Sequence, residues 1–308
     1  MKTLLQRCLQ FIPVFFGITL LSFGLLYIAP SDPVSIRLSA GGISADPQVV
    51  LRMRAEMGLD EPFLVQYGMW LERFVQGDMG RSYMTDLPVA QTFLQALPYT
   101  LRMAGAAMLL TLLISLPIGI GIAACRGSRA DYGVRLLTFI VSATPSFIVA
   151  IVLMFIFSYR LGWIPVLATT KPIGMVLPSA ALAIVMSSRY IRQVRAAALD
   201  ELDKDYIVGL RARGIPERQI LFRSVLKNIM VIVITLTGIS VGSLLGGTVI
   251  VETIFNWSGI GHLIMTAISN RDYPIVQAVV VWMALAFFCV NLLADLSYRY
   301  FNPRIKDL

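Results

Sequence analysis

The chain has 308 residues, 57% of them hydrophobic and 14% charged, with a mean hydropathy of +0.75 and a formal net charge of +8. Soluble domains carry about 25% charged residues, so this balance excludes an ordinary soluble enzyme or nucleic-acid-binding module and indicates an all-α integral membrane protein. An excess of Lys and Arg on inner loops accounts for the positive charge.

Cys8, Cys125 and Cys289 are scattered, His262 is the single histidine, and no GxxxxGK[ST] occurs. Neither a metal site nor an ATP phosphate loop is therefore expected in this chain. Apolar runs of about 20 residues alternate with charged segments, which predicts six transmembrane helices, because only a helix satisfies its own backbone in hydrocarbon. The first run, Leu9–Ala29, follows Lys2 and Arg7 and is too long for a signal-peptide core, so residues 1–29 are expected to form a retained span with its N-terminus inside.

Residues 30–97 form a long polar segment, read as an external loop domain, in which five arginines meet eight acidic residues. Asp46-Pro47 predicts a helix start and Gly58 a helix stop. After Pro62, the residues Phe63, Tyr67, Trp70, Leu71 and Phe74 recur at helical spacing and predict an apolar stripe that packs on the membrane part.

A five-helix core follows over residues 98–308. The second span, Pro98–Ala124, contains Pro117, Gly119 and Gly121, which kink membrane helices and permit close packing. Arg126, Arg129, Asp131 and Arg135 mark an inner turn. The third span, Val134–Tyr159, is expected to kink at Pro145, and Trp163 sits on a short outer loop at the interface. The fourth span begins near Ile173 and reaches Met186, with its helix extending toward Leu199.

Residues 199–228 are the most charged stretch and, being rich in Lys and Arg between two spans, are expected inside. Asp203 and Asp205 are N-cap candidates, Gly214 a left-handed stop, and Pro216 the first-turn residue of a second short helix. Tyr206, Ile207 and Leu210, then Ile215, Ile220, Leu221 and Val225, give each helix an apolar side. A solvated basic loop that only sets topology would not need this design; a bent, amphipathic, basic helix pair suits a cytoplasmic partner.

The fifth span, Ile229–Val251, carries Gly238, Gly242, Ser243 and Gly246 along one face, either for close helix packing or as the lining of a pathway. Residues 252–274 leave the membrane outside. There Trp257 is expected at the interface, and Gly259 and Gly261 are expected to allow a tight, partly re-entrant turn. The sixth span is Ile275–Leu296. Seventeen of the 26 Lys and Arg residues fall on the segments assigned inside, which fixes an N-in, C-in reading.

Three groups of residues resemble one family. Val208-Gly209-Leu210 through Gly214 resembles the "EAA" coupling loop of ABC importer permeases, with Gly214 on the family's glycine and Val208-Gly209-Leu210 where Glu-Ala-Ala would stand. Gly58-Leu59-Asp60-Glu61-Pro62, Gln66-Tyr67, Trp70-Leu71 and Gly77-Asp78-Met79-Gly80-Arg81-Ser82 resemble the first external loop of the dipeptide, oligopeptide and nickel importer permeases. Phe255-Asn256-Trp257-Ser258-Gly259-Ile260-Gly261 and Asn270-Arg271-Asp272-Tyr273-Pro274 resemble the same family, with Ser258 in place of a common proline.

The resemblance implies a type I ABC importer permease fold in a bacterial cytoplasmic (inner) membrane. It implies half of a translocation pathway for small peptides, nickel or a metal chelate, and no catalysis in this chain. Implied partners are a second homologous permease, two ABC ATPase subunits that bind ATP and Mg, and an external solute-binding protein. Tyr206, Arg211, Ala212, Arg213, Gly214, Ile215 and Pro216 would dock the ATPase. Phe255, Trp257, Gly259, Gly261, Arg271, Asp272 and Tyr273 would form an external gate. The competing reading is a secondary ion-coupled carrier, which needs carboxylates at mid-depth in the membrane.

Overall fold

The computed structural model describes residues 2–28, 32–40, 47–166 and 171–301. Asp46, read above as part of a helix start, and residues 302–308 of the expected core lie outside them. Among the described residues the fold is helical, apart from one isolated bridge between Arg81 and Pro88. Among the described residues five helices are long and apolar enough to cross a membrane: Leu9–Ile28, Val89–Ala124, Pro172–Leu202, Glu217–Leu244 and Tyr273–Leu293. A sixth crossing exists if the pair Arg129–Ala143 and Ser146–Arg160 counts as one span.

That pair is bent by 100°, far beyond the kink expected at Pro145. The proline ring drives Thr144 out of the helical region (φ −88°, ψ 124°), and Pro145 itself, extended, starts the second helix. The chain divides into two compact units, Met1–Thr100 with Ser258–Cys289, and Leu101–Trp257 with Val290–Leu308.

In the first unit, α1 (Lys2–Ile28) is followed by α2 (Pro33–Ala40), α3 (Pro47–Glu56) and α4 (Phe63–Val75). The aromatic stripe of α4 packs on α1: the Phe23 ring lies 5.6 Å from Phe63, 5.7 Å from Tyr67 and 5.9 Å from Trp70. The Tyr67 hydroxyl shares a 2.9 Å hydrogen bond with Thr19. α3 and α4 end at Gly58 and Gly77, both left-handed, in the same pattern of paired backbone bonds.

α5 (Val89–Ala124) starts nine residues before the expected span, its first turns lying in the long loop. Its beginning builds a core with Ile260 and Ala267 of α12 (Ile260–Ser269) and Ile275, Ala278 and Val279 of α13 (Tyr273–Phe301).

The second unit is built on α6 (Arg129–Ala143), α7 (Ser146–Leu153, continued by a π turn to Arg160), and α8. The last is a 3₁₀ turn Pro172–Met175 leading into Val176–Leu202. α9 (Asp205–Ala212), α10 (Glu217–Gln219) and α11 (Leu226–Ile254) complete it. Gly119 of α5 lies against α8 so closely that a Cβ there would stand 2.7 Å from Val194 Cγ1.

The turn marked by Arg126, Arg129, Asp131 and Arg135 holds a buried ion pair. Asp131 is buried (1% exposed) in the first turn of α6, and Arg195 of α8 donates to it twice, at 2.7 and 2.6 Å. Ser128 caps the helix by accepting from the Asp131 N–H, and Gly127 N–H donates to the Asp131 carboxylate. Glu252, near the end of α11, is also fully buried.

Candidate functional site

The basic segment 199–228 folds as a bent pair, but not with the caps expected. Asp203 is the residue that ends α8, and Asp205 is the first residue of α9, whose N-cap is Lys204 with no side-chain cap bond. Pro216 stands one place earlier than expected, as the N-cap of α10. The second helix is also not short: α10 passes through a π turn, Ile220–Val225, directly into α11. A π turn adds one residue to a helix without breaking it, so a charged segment and a membrane span share one rod.

Gly214 does end α9. Its φ is +74°, its N–H donates to Arg211 C=O at 2.9 Å, and Ile215 N–H donates to Leu210 C=O at 3.2 Å. This pair of bonds is the left-handed helix stop in which the residues flanking the turn meet through apolar side chains. Leu210 and Ile215 both pack on a core of Ile207, Ile220, Leu221 and Val225 with Val194, Ala198 and Leu202 of α8. Arg211 reaches over the bend to Glu217 with bonds of 2.6 and 3.1 Å, which holds the Arg211 guanidinium's pKa above its ordinary value.

The base of α9 is tied down by one carboxylate. Glu201, 6% exposed, accepts from Tyr206 Oη at 2.6 Å, from Asn228 Nδ2 at 2.7 Å and from Lys204 Nζ at 2.5 Å. Burial, and then the bond to Glu201, push the Tyr206 phenol pKa up. α8, α9 and α11 are thereby joined at one point. Sequence reasoning placed Tyr206 in this loop but did not find Glu201 or Asn228. A carboxylate five residues before a tyrosine at a helix junction was the available signal.

The consequence is a fixed, solvent-facing ridge. Arg211, Ala212, Arg213, Gly214 and Pro216 are exposed, with Ile215 half-buried beneath them.

The segment 252–274 has two parts, one in each unit. In the second unit α11 ends with Asn256 left-handed (φ 49°), and Trp257 N–H donates to Glu252 C=O at 2.8 Å. Trp257 is not an interfacial anchor: it is 2% exposed and Phe255 1%. The residue after a left-handed stop commonly turns inward onto the helix it follows, which is the place Trp257 holds.

In the first unit Gly259 is extended (φ −91°, ψ −177°) and Gly261 lies inside α12, so neither glycine supplies the turn expected of it. The start of α12 is held by Thr100 instead, whose Oγ1 accepts from Ile260 N–H at 2.8 Å. The left-handed residue at the other end is Arg271 (φ 57°), where Asp272 N–H donates to Ala267 C=O at 2.8 Å.

Asp272 is 2% exposed. Its carboxylate accepts from the Ser82 hydroxyl and from Tyr83 N–H at 3.0 Å, and Ser82 in turn accepts from Met84 and Thr85 N–H. Tyr83 meets Tyr273 edge-on, and burial, followed by the Asp272 charge, pushes the Tyr83 pKa up to about 12. The two sequence phrases around Ser82 and Asp272 thus form one structure: a hairpin-like loop seated on the turn between α12 and α13.

On α11, Gly238 is half-buried and Gly242 buried, whereas Ser243 and Gly246 are exposed. A Cβ added at Gly246 would meet nothing within 4 Å.

Residues 115–307 match the family described as binding-protein-dependent transport system inner membrane component, and residues 1–104 match its N-terminal membrane component. The chain is 36% identical over 314 residues to the oligopeptide transport system permease protein AppB of Bacillus subtilis (strain 168). It is 34% identical over 311 residues to a putative peptide transport system permease protein of Brucella abortus (strain 2308). It is 34% identical over 302 residues to the glutathione transport system permease protein GsiC of Salmonella choleraesuis (strain SC-B67). Each alignment covers 98% of both chains.

Among solved structures, a chain of the MetNI methionine ABC transporter in an inward-facing conformation superposes with a TM-score of 0.59 at 16% identity. The match covers 68% of this chain and 96% of that one. At such identity the likeness is one of fold. With several apolar helices and both family regions matched, the chain belongs to the binding-protein-dependent transport system inner membrane components, as a multi-pass, non-catalytic permease component of a type I ABC importer.

Proposed function

We propose that this chain forms half of the translocation pathway of an ATP-driven importer for small peptides, delivered by an external solute-binding protein. The exposed ridge at Gly214 is the observation that carries the reading. A left-handed stop, cross-braced by Arg211–Glu217 and anchored through Glu201, is a rigid projection whose motion must be passed into α11. In this reading Tyr206 and residues 211–216 seat an ATPase subunit, a second such subunit serves a homologous partner permease, and ATP and Mg stay on the ATPases. Residues 252–274 serve as the external gate, Ser243 and Gly246 face the partner permease or the pathway, and Gly238 and the buried Gly242 serve the packing of α11 within this chain.

Peptides are preferred to nickel or a metal chelate as cargo because the similar proteins are named for peptide, oligopeptide and glutathione transport. The test is co-expression with the candidate ATPase, partner permease and binding protein, followed by reconstitution in vesicles. Peptide uptake that requires ATP and the binding protein supports the proposal. Uptake driven by an ion gradient without the ATPases would instead favour a secondary carrier.

A further inference from the structure

Between α6 and α8 lies a recess of about 440 Å³ that the coupling and gating roles do not use. It is lined by Tyr132, Arg135, Leu136, Phe139, Arg192 and Arg195. Its chemistry is divided. Leu136, Phe139 and Tyr132 are 61%, 69% and 62% exposed, a density of bare apolar surface that suits hydrocarbon rather than water.

Beside them stand three guanidinium groups. Arg195 is neutralised by Asp131. Arg192 donates to the backbone carbonyls of Thr138 and Ser188, at 3.1 and 3.2 Å, which fixes its position without cancelling its charge. Arg135 lies 5.4 Å above the Tyr132 ring. Among the described residues neither Arg192 nor Arg135 has a carboxylate partner within ion-pair distance.

We infer that this recess is a binding site for an anionic phospholipid, with the headgroup phosphate between Arg135 and Arg192 and an acyl chain along Leu136 and Phe139. Two fixed positive charges in a partly apolar recess call for an anion. The apolar wall adjoining them calls for that anion to carry a hydrocarbon chain, which a free phosphate does not. Basic recesses between membrane helices on the inner side select acidic headgroups on these grounds. Tyr132 keeps the Arg135 guanidinium oriented, and the Asp131–Arg195 pair holds the two helix walls together. Placement in the inner leaflet rests on the inside assignment of the Arg-rich turns; the binding itself does not depend on the transport reading.

The experiment is native mass spectrometry of the assembled complex released from nanodiscs holding equal phosphatidylglycerol and phosphatidylcholine. The wild-type complex should retain phosphatidylglycerol in preference. Arg135→Gln, at an exposed residue with no helix-bridging bond among the described contacts, should lower that retention about fivefold, and Arg135→Lys should largely keep it.

A photo-crosslinking amino acid at Leu136 should capture lipid. Equal retention by Arg135→Gln and wild type would overturn the proposal. So would displacement of the lipid by excess inorganic phosphate, or crosslinking of position 136 to a partner subunit. Because the readout is bound lipid and not uptake, its failure is distinguishable from failure of the transport proposal.

Discussion

Gly214 sits at φ +74° with open space where a Cβ would point, so the objection to a side chain there is conformational and not steric. A left-handed L-residue costs about 1–2 kcal/mol, and a β-branched one sits worst. Gly214→Val should leave the protein in the membrane but displace the chain entering α10, lowering substrate-stimulated ATP hydrolysis in the assembled complex at least several-fold. Hydrolysis and uptake at wild-type levels would show that the bend is not the transmitting element.

Tyr83 offers a pH test at the same scale. Burial beside Asp272 raises its pKa to about 12, so the folded state favours the neutral phenol. Its contribution to holding the loop around Ser82 is complete below the unfolded value of about 10 and is lost as pH rises through about 12. Ultraviolet titration should show late-ionising tyrosines, Tyr206 among them, and Tyr83→Phe should remove one of them; a late-ionising fraction unchanged in that variant would contradict the seat described for Tyr83.

The glycine stops at Gly58, Gly77 and Gly214 were open to sequence reading, because glycine reaches positive φ at no steric cost. Arg271 takes the same backbone state and was hidden, because nothing about an arginine announces a left-handed turn; Asn256, of a type that enters this state readily, was legible and was missed.

At the scale of elements, apolar run length located the spans well and their breaks poorly. Length reports how much hydrocarbon a run can cross, but not whether Thr144-Pro145 turns the chain by 100° or whether a π turn fuses Glu217 to Ile254. The Asp131–Arg195 pair was missed for a related reason: 64 residues separate the partners, and only packing of α6 on α8 brings them together.

Removing one member of such a pair leaves a buried charge, which costs about 3–5 kcal/mol, whereas replacing both with apolar groups is often neutral. Asp131→Ala should therefore lower the thermal stability of the purified protein markedly, and Asp131→Leu combined with Arg195→Met should recover most of it. A double variant as unstable as the single one would mean that the pair contributes through geometry that apolar packing cannot replace.

On α11 the exposed Gly246 and the buried Gly242 lie on the small face read from the sequence. Gly246→Leu, at the exposed position of this face, should block assembly with a partner permease or abolish uptake, because the helix backbones could no longer approach closely. Wild-type subunit composition and uptake in that variant would place this face against lipid.

For the whole molecule, the phrases around Ser82, Asn256 and Asp272 carried the family in the sequence, yet the physical use of each became visible only with the fold. Ser82 and Asp272 are 190 residues apart and meet in one hydrogen bond. Trp257, read as an interfacial ring, is core.

These observations sharpen the question of what residues 252–274 do. Fixed left-handed stops at Asn256 and Arg271 bracket a ten-residue helix, α12, whose ends are pinned by Thr100 and by the Asp272 turn. Within the first unit α12 is pinned at both ends, so if it gates the pathway it is expected to move as one piece with the helices that hold it. Ser258 and Ser269 are exposed at its two ends and can carry cysteines without disturbing the core. Labelling of Ser258→Cys and Ser269→Cys in the assembled complex should change between ATP-trapped and nucleotide-free states, and should change at both positions together. Labelling that is identical in the two states would reduce the segment to a connector. A change at only one position would mean that α12 bends, which the pinned ends forbid.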